Sequence, residues 1–128
     1  MVKVVGGCHC GAVQFEAEVS QTPELLDCNC SVCTMTGYLH LTVPHPNFTL
    51  KSGEESLVSY QFGTKTADHL FCGQCGIKSF YQPRSHPDSW SINYNCVEPN
   101  SLLQPQIVTL DGQNWEEAVT KLRSKSAD

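Results

Sequence analysis

The sequence predicts a mainly β domain with one helix near its C-terminal end. Three observations carry that prediction: short segments alternate apolar and polar residues, turn formers separate them closely, and one late stretch repeats apolar residues at helical spacing. Residues 12–18 place Val13, Phe15 and Ala17 on one face and Ala12, Gln14, Glu16 and Glu18 on the other, the period of a half-buried strand. Residues 39–43 are a short β-prone run ended by Pro44 and Pro46. Residues 57–62 and 67–71 read as strands on either side of a turn containing Gly63. Residues 77–81 follow a cysteine pair directly, 90–94 alternate Trp, Ile and Tyr with Ser and Asn, and 106–110 make a further strand. Asn114 can cap the helix, with Glu117 three residues on completing a capping-box pattern. Trp115, Ala118, Val119 and Leu122 then form its apolar face, while Lys121, Arg123 and Lys125 suit the negative end of the helix dipole.

A chain of 128 residues is the size of one domain, taken here as 1–128, and can bury a core without covalent staples. Its net charge of -5 argues against a phosphate-binding track for nucleic acid. No apolar run reaches the roughly 18 residues of a membrane span. The first seven residues are too short, and too soon interrupted by glycine, to resemble a secretory signal. These features point to the cytoplasm, with the nucleus open to a chain of this size. In a reducing compartment eight cysteines signal metal binding or catalysis more than disulfides. The spacing agrees, because Cys8 and Cys10, like Cys28 and Cys30, are separated by one residue, too small a loop for easy bridging.

Seven of the eight cysteines fall into three clusters. Cys72-Gly73-Gln74-Cys75-Gly76 has the form of a zinc knuckle, with glycines that permit the turn and leave amides free for the sulfurs. Gly7-Cys8-His9-Cys10-Gly11 is the candidate second turn. Cys8, Cys10, Cys72 and Cys75 would then make a closed, structural all-thiolate site. Cys28-Asn29-Cys30-Ser31-Val32-Cys33 offers three thiols within six residues, enough for three corners of a tetrahedral ion. The fourth corner is open to Cys96, to a histidine or to an exogenous ligand. Three thiolates make zinc a poor generator of hydroxide but a good acceptor for a soft fourth ligand, and a thiol bound there would be acidified. That chemistry points to carbon–sulfur bond making or breaking on a thiol such as glutathione.

These three cysteine segments, with Ala12-Val13-Gln14-Phe15 after the first and Phe71 before the third, resemble the glutathione-dependent formaldehyde-activating enzyme family, which includes centromere protein V. The resemblance runs from about residue 3 to 120. It implies a β-tent zinc-binding fold of small antiparallel sheets with a C-terminal helix. It also implies two zinc ions per chain, a structural one on Cys8, Cys10, Cys72 and Cys75 and a catalytic-type one on Cys28, Cys30 and Cys33. The implied activity is that of a carbon–sulfur lyase, the reversible condensation of glutathione with formaldehyde to S-hydroxymethylglutathione. Phe80 to Ser85 and the Trp115 helix look more like the centromere-protein-V branch. Asn29 and Thr34 stand where many bacterial members carry His and Arg.

The substrates would be glutathione or another small thiol and a small aldehyde. Glutathione carries two carboxylates, which Arg84, Lys51, Lys65 or Lys78 could bind. Arg84 is the favoured contact, because its planar fork matches a carboxylate. Tyr38, Tyr81 and Tyr94 are candidate proton donors or wall residues. His9 and His69 are candidates to support the metal ligands. The alternative is a non-catalytic two-zinc scaffold that binds a protein or chromatin partner.

Overall fold

The computed structural model describes residues 1–29, 31–63 and 67–110. In chain order its regular elements are β1 (Val2–Gly7), β2 (Gln14–Val19), β3 (Glu24–Cys28), α1 (Ser31–Thr36), β4 (Leu39–Pro44), β5 (Phe48–Ser52), β6 (Leu57–Tyr60), β7 (His69–Cys72), β8 (Phe80–Tyr81), β9 (Ser89–Asn93) and β10 (Gln106–Leu110). The mainly β prediction therefore holds. The expected helix at residues 114–125 lies outside the described residues.

Three small sheets result, ordered β1-β2-β5, β10-β3-β4-β9-β8 and β6-β7. Pairing is antiparallel throughout except between β10 and β3, which run parallel. The inner face of β2 carries Phe15 and Ala17, as the alternation predicts. They pack with Val4, Leu25, Leu41, Val43, Phe80 and Ile92 in one apolar core. Phe15 stacks on Phe48 at 5.5 Å and meets Phe80 edge-on at 6.3 Å, tying the first sheet to the second.

Three strands lack a clean signal in the sequence. β1 ends in two glycines, and at Gly6 a side chain would run into the Cys96 carbonyl. β3 places two leucines side by side, Leu25 in the core and Leu26 on the opposite face. Both are buried, so the strand shows no alternation. β5 does alternate, but a proline-bearing 3-10 turn at His45–Asn47 precedes it and masks its start. The predicted 77–81 strand shortens to Phe80–Tyr81. The Ile77 carbonyl instead accepts from the Cys72 amide at 3.0 Å, so residues 77–79 complete the knuckle turn.

Gly53 makes the turn after β5 with φ +96°, and a Cβ there would strike the Ala12 carbonyl and Val13. Gly53→Ala is expected to cost about 3 kcal/mol, read as a lower urea midpoint of the metal-loaded protein. An unchanged midpoint would show that this crossing is not rigid.

Candidate metal centres

The first centre forms where two turns meet. The β1–β2 connection carries Cys8 and Cys10, and the end of β7 carries Cys72 and Cys75. Their four sulfurs all lie within 4.8 Å of one another, although 62 residues separate Cys10 from Cys72. Cys10 Sγ stands 3.6 Å from both Cys8 Sγ and Cys72 Sγ. The two turns are built alike. Each places a glycine just after its second cysteine in the left-handed region, Gly11 at φ +83° and Gly76 at φ +78°. Each also aims an amide at a sulfur, Val13 N–H at Cys8 Sγ (3.3 Å) and Gln74 N–H at Cys72 Sγ (3.4 Å). The amides of Cys10 and then Ile77 hold the Cys75 thiol down at about 6. Four converging sulfurs, with the Cys75 and Cys8 thiols lowered and the Cys10 thiol raised to about 11 by its neighbours, fit a soft tetrahedral cation. His9 is exposed beside this centre. His69 turns away from it toward Lys78.

The second cluster lies on the outer face of the five-stranded sheet. Strand alternation puts Leu26, and so Cys28 two residues on, on the face opposite Leu25, and Leu26 pairs across with His40. Cys33 enters from α1, a six-residue helix ended by Gly37 at φ +62°. Cys30 lies outside the described residues, so the structure speaks for Cys28 and Cys33, both buried and neither in a disulfide. Cys33 Sγ stands 3.1 Å from His40 Nε2. His40 is only 6% exposed, and its other ring nitrogen meets Ser91 Oγ at 2.9 Å and Tyr81 Oη at 3.3 Å. Cys33 and His40 are two soft donors in contact, with Cys28 buried on the neighbouring strand; among the described residues only the first centre brings three or more donor atoms together.

Aromatic and cationic groups back this cluster. Tyr38 packs on His40 at 4.6 Å between ring centres, and its hydroxyl donates to the Ser91 carbonyl at 2.6 Å. Burial, then the neighbouring Tyr81, push the Tyr38 phenol well above its ordinary value, so it stays neutral. Lys78, one of the four candidate contacts for a glutathione carboxylate, is buried. Its Nζ lies 3.8 Å from the centre of the Tyr81 ring and 2.7 Å from His69 Nδ1. His69 stacks on Tyr81 at 4.8 Å and on Phe62 at 5.2 Å, and Phe62 stacks on Tyr60 at the surface. A buried ammonium one ring away suits a site that gathers thiolate charge.

The other predicted residues lie elsewhere. Lys51 faces Glu16 at 3.6 Å on the first sheet, and Lys65 lies outside the described residues. Cys96 sits on a 3-10 turn after β9 with Sγ 4.0 Å from the Lys78 carbonyl. Burial, then the sulfurs of Cys8 and Cys75, push its thiol up to about 11. Arg84 occupies the loop between β8 and β9. Gln82 organises that loop, donating from Nε2 to the carbonyls of His86 (3.0 Å), Ser89 (3.1 Å) and Pro83 (3.3 Å) and accepting from His45 Nε2 at 2.9 Å. The loop borders the Pro44–Ser89 end of the β4–β9 ladder, whereas His40 pairs with Asn93 at the other end, about 13 Å along the strands.

His40 is the residue that sequence reasoning passed over. It has no ligand-like spacing to another histidine or to the cysteine triplet. Its one cue is its place on a strand face shared with Leu26.

The sequence profile of the glutathione-dependent formaldehyde-activating enzyme family matches residues 3–115. A crystal structure of a Rhodobacter sphaeroides protein, solved as a structural genomics target, has the same fold with a TM-score of 0.69. It is 36% identical in sequence, and the match covers 81% of this chain and 99% of that one. The chain belongs to the glutathione-dependent formaldehyde-activating enzyme family.

Proposed function

We propose that the protein is a zinc-dependent carbon–sulfur lyase that reversibly joins glutathione to formaldehyde as S-hydroxymethylglutathione. Residues 1–128 would act as one zinc-binding domain in the cytoplasm. Family membership supports a function on glutathione and formaldehyde. The observation that carries the finer reading is a second thiol site, with Cys33 buried against His40, Cys28 buried on the neighbouring strand, and both apart from the four-cysteine centre.

Cys8, Cys10, Cys72 and Cys75 would hold a structural zinc, and Cys28, Cys30 and Cys33 the catalytic one. Zinc bound by three thiolates would supply an acidified position for a fourth thiol. In the condensing direction the glutathione sulfur bonds to the aldehyde carbon, the carbonyl pair moves to oxygen, and that oxygen takes up a proton. The reverse breaks the same carbon–sulfur bond. Tyr38, Tyr81 and His40 wall the thiol cluster, and their packing limits water around the reacting carbon. Arg84 would take a carboxylate of glutathione.

Reduced protein is expected to hold two zinc ions per chain, and glutathione to perturb the visible spectrum of the cobalt-substituted form. Two metals per chain, with no perturbation at millimolar glutathione, would replace this reading with the two-zinc scaffold. That alternative draws on Val58, Tyr60 and Phe62, an exposed apolar row on β6 and the turn after it.

A further inference from the structure

We propose that His40 is a positioning residue for the second metal: its Nε2–H donates to the Cys33 sulfur and tempers that thiolate, so that the ion accepts a fourth thiol. The inference rests on the reading of Cys28, Cys30 and Cys33 as a metal site. Its first support is the contact itself, Nε2 to Sγ at 3.1 Å between two buried side chains. Two atoms sharing a tetrahedral zinc at about 2.3 and 2.0 Å stand about 3.5 Å apart. The observed 3.1 Å lies within hydrogen-bonding range. An imidazole lone pair turned toward a thiolate would repel it, so the nitrogen facing Cys33 must carry the proton.

The second support is what holds the ring. Nδ1 faces two hydroxyls, Ser91 Oγ at 2.9 Å and Tyr81 Oη at 3.3 Å, and either can donate to it. Both hydroxyls are thus compatible with a proton on Nε2, the tautomer that a thiolate at Cys33 favours. Tyr38 at 4.6 Å and Tyr81 at 5.8 Å then confine the ring from two directions. Ser91 is anchored in β9 and buried, so the aim of the imidazole is set by the sheet rather than by the metal loop.

The chemical consequence concerns electron donation. Zinc bound by three thiolates accepts a soft fourth ligand, but its net negative charge opposes part of that gain when the ligand is itself anionic. A hydrogen bond to one thiolate withdraws part of that charge, and partners outside the ligand set commonly change metal affinity or activity by about 10- to 100-fold. His40 would thereby favour binding of the substrate thiol without occupying the position that the thiol needs.

Two measurements test the proposal on the full-length, metal-loaded protein. In the first, the cobalt-substituted protein is titrated with glutathione. His40→Gln, whose amide can still donate to sulfur, is expected to keep the wild-type sulfur-to-cobalt charge-transfer band and to bind glutathione within about threefold of wild type. His40→Ala is expected to shift the band and weaken glutathione binding about tenfold, with two cobalt ions still bound. Equal spectra and affinities for His40→Ala and wild type would overturn the proposal, as would a Gln variant as impaired as the Ala variant. The second uses wild type alone and does not depend on a variant folding. Nitrogen-15 spectra of the cadmium-113 protein should show His40 protonated at Nε2 and uncoupled to cadmium, whereas a cadmium coupling at Nε2 would make His40 a ligand and overturn the assignment. Wild type binding a single metal would instead remove the underlying reading of the site.

Discussion

Stripping the metal from the Cys8–Cys10–Cys72–Cys75 centre is expected to abolish cooperative folding. The centre joins two turns that are distant in sequence, and one of its sulfurs belongs to Cys72, which is fully buried in the apolar core. Without an ion, four sulfurs within 4.8 Å have one another, a few amides and the Gln74 side chain as partners. Binding of structural zinc contributes about 10–16 kcal/mol in small zinc domains, comparable to the whole stability of a typical domain. A strong chelator under reducing conditions, or Cys72→Ala, should therefore remove the sharp thermal transition followed by circular dichroism. Acid should act in the same direction. The Cys75 thiol lies near 6 in the folded chain against an ordinary value near 9. Its stabilising contribution is complete above pH 9 and is lost as pH falls through 6. An apo protein that melts like the loaded one would show the centre to be dispensable.

The sequence made this centre legible because its chemistry is local. Each turn carries its own cysteines, glycines and amide donors, so Gly7 to Gly11 and Cys72 to Gly76 are readable as halves of one site before any pairing is known. β2 was legible for a related reason: one of its faces is buried and the other exposed, and Val13, Phe15 and Ala17 record that difference directly. β3 was not, because Leu25 and Leu26 point to opposite faces and are both buried, which erases the alternation. The second centre was half legible. The triplet Cys28, Cys30 and Cys33 stands out within six residues, but its neighbours come from β4, β8 and β9, and only the register of those strands brings His40, Tyr81 and Ser91 together. Lys78 shows what residue type leaves open. The sequence offered it as one of four cations for a glutathione carboxylate, and the knuckle turn folds it inward against Tyr81 and His69. Long-range pairing decides such cases, and residue type alone does not.

The two centres should separate cleanly when the second is attacked. Cys33→Ser is expected to lower kcat/KM for the glutathione–formaldehyde reaction about a thousandfold, equivalent to about 4 kcal/mol of transition-state stabilisation. Serine places a harder, shorter, poorly ionised donor where a thiolate is required, and it leaves only Cys28 and Cys30 as soft ligands. Metal content should fall from two ions per chain toward one. Stability should change little, because Cys33 sits on α1 outside the main apolar cluster, unlike Cys72. A shift of a few degrees in melting temperature is the expected scale, about 1 kcal/mol for a domain of this size. The combination is diagnostic, since general misfolding would take both metals and the thermal transition together. A variant that keeps one metal and its fold but loses turnover would place the chemistry at the Cys28–Cys30–Cys33 cluster. Turnover within tenfold of wild type would move it elsewhere. If activity and the second metal vanish while the first remains, the short helix α1 and the face of β4 carry the reaction, and the knuckle centre serves to hold that face in place.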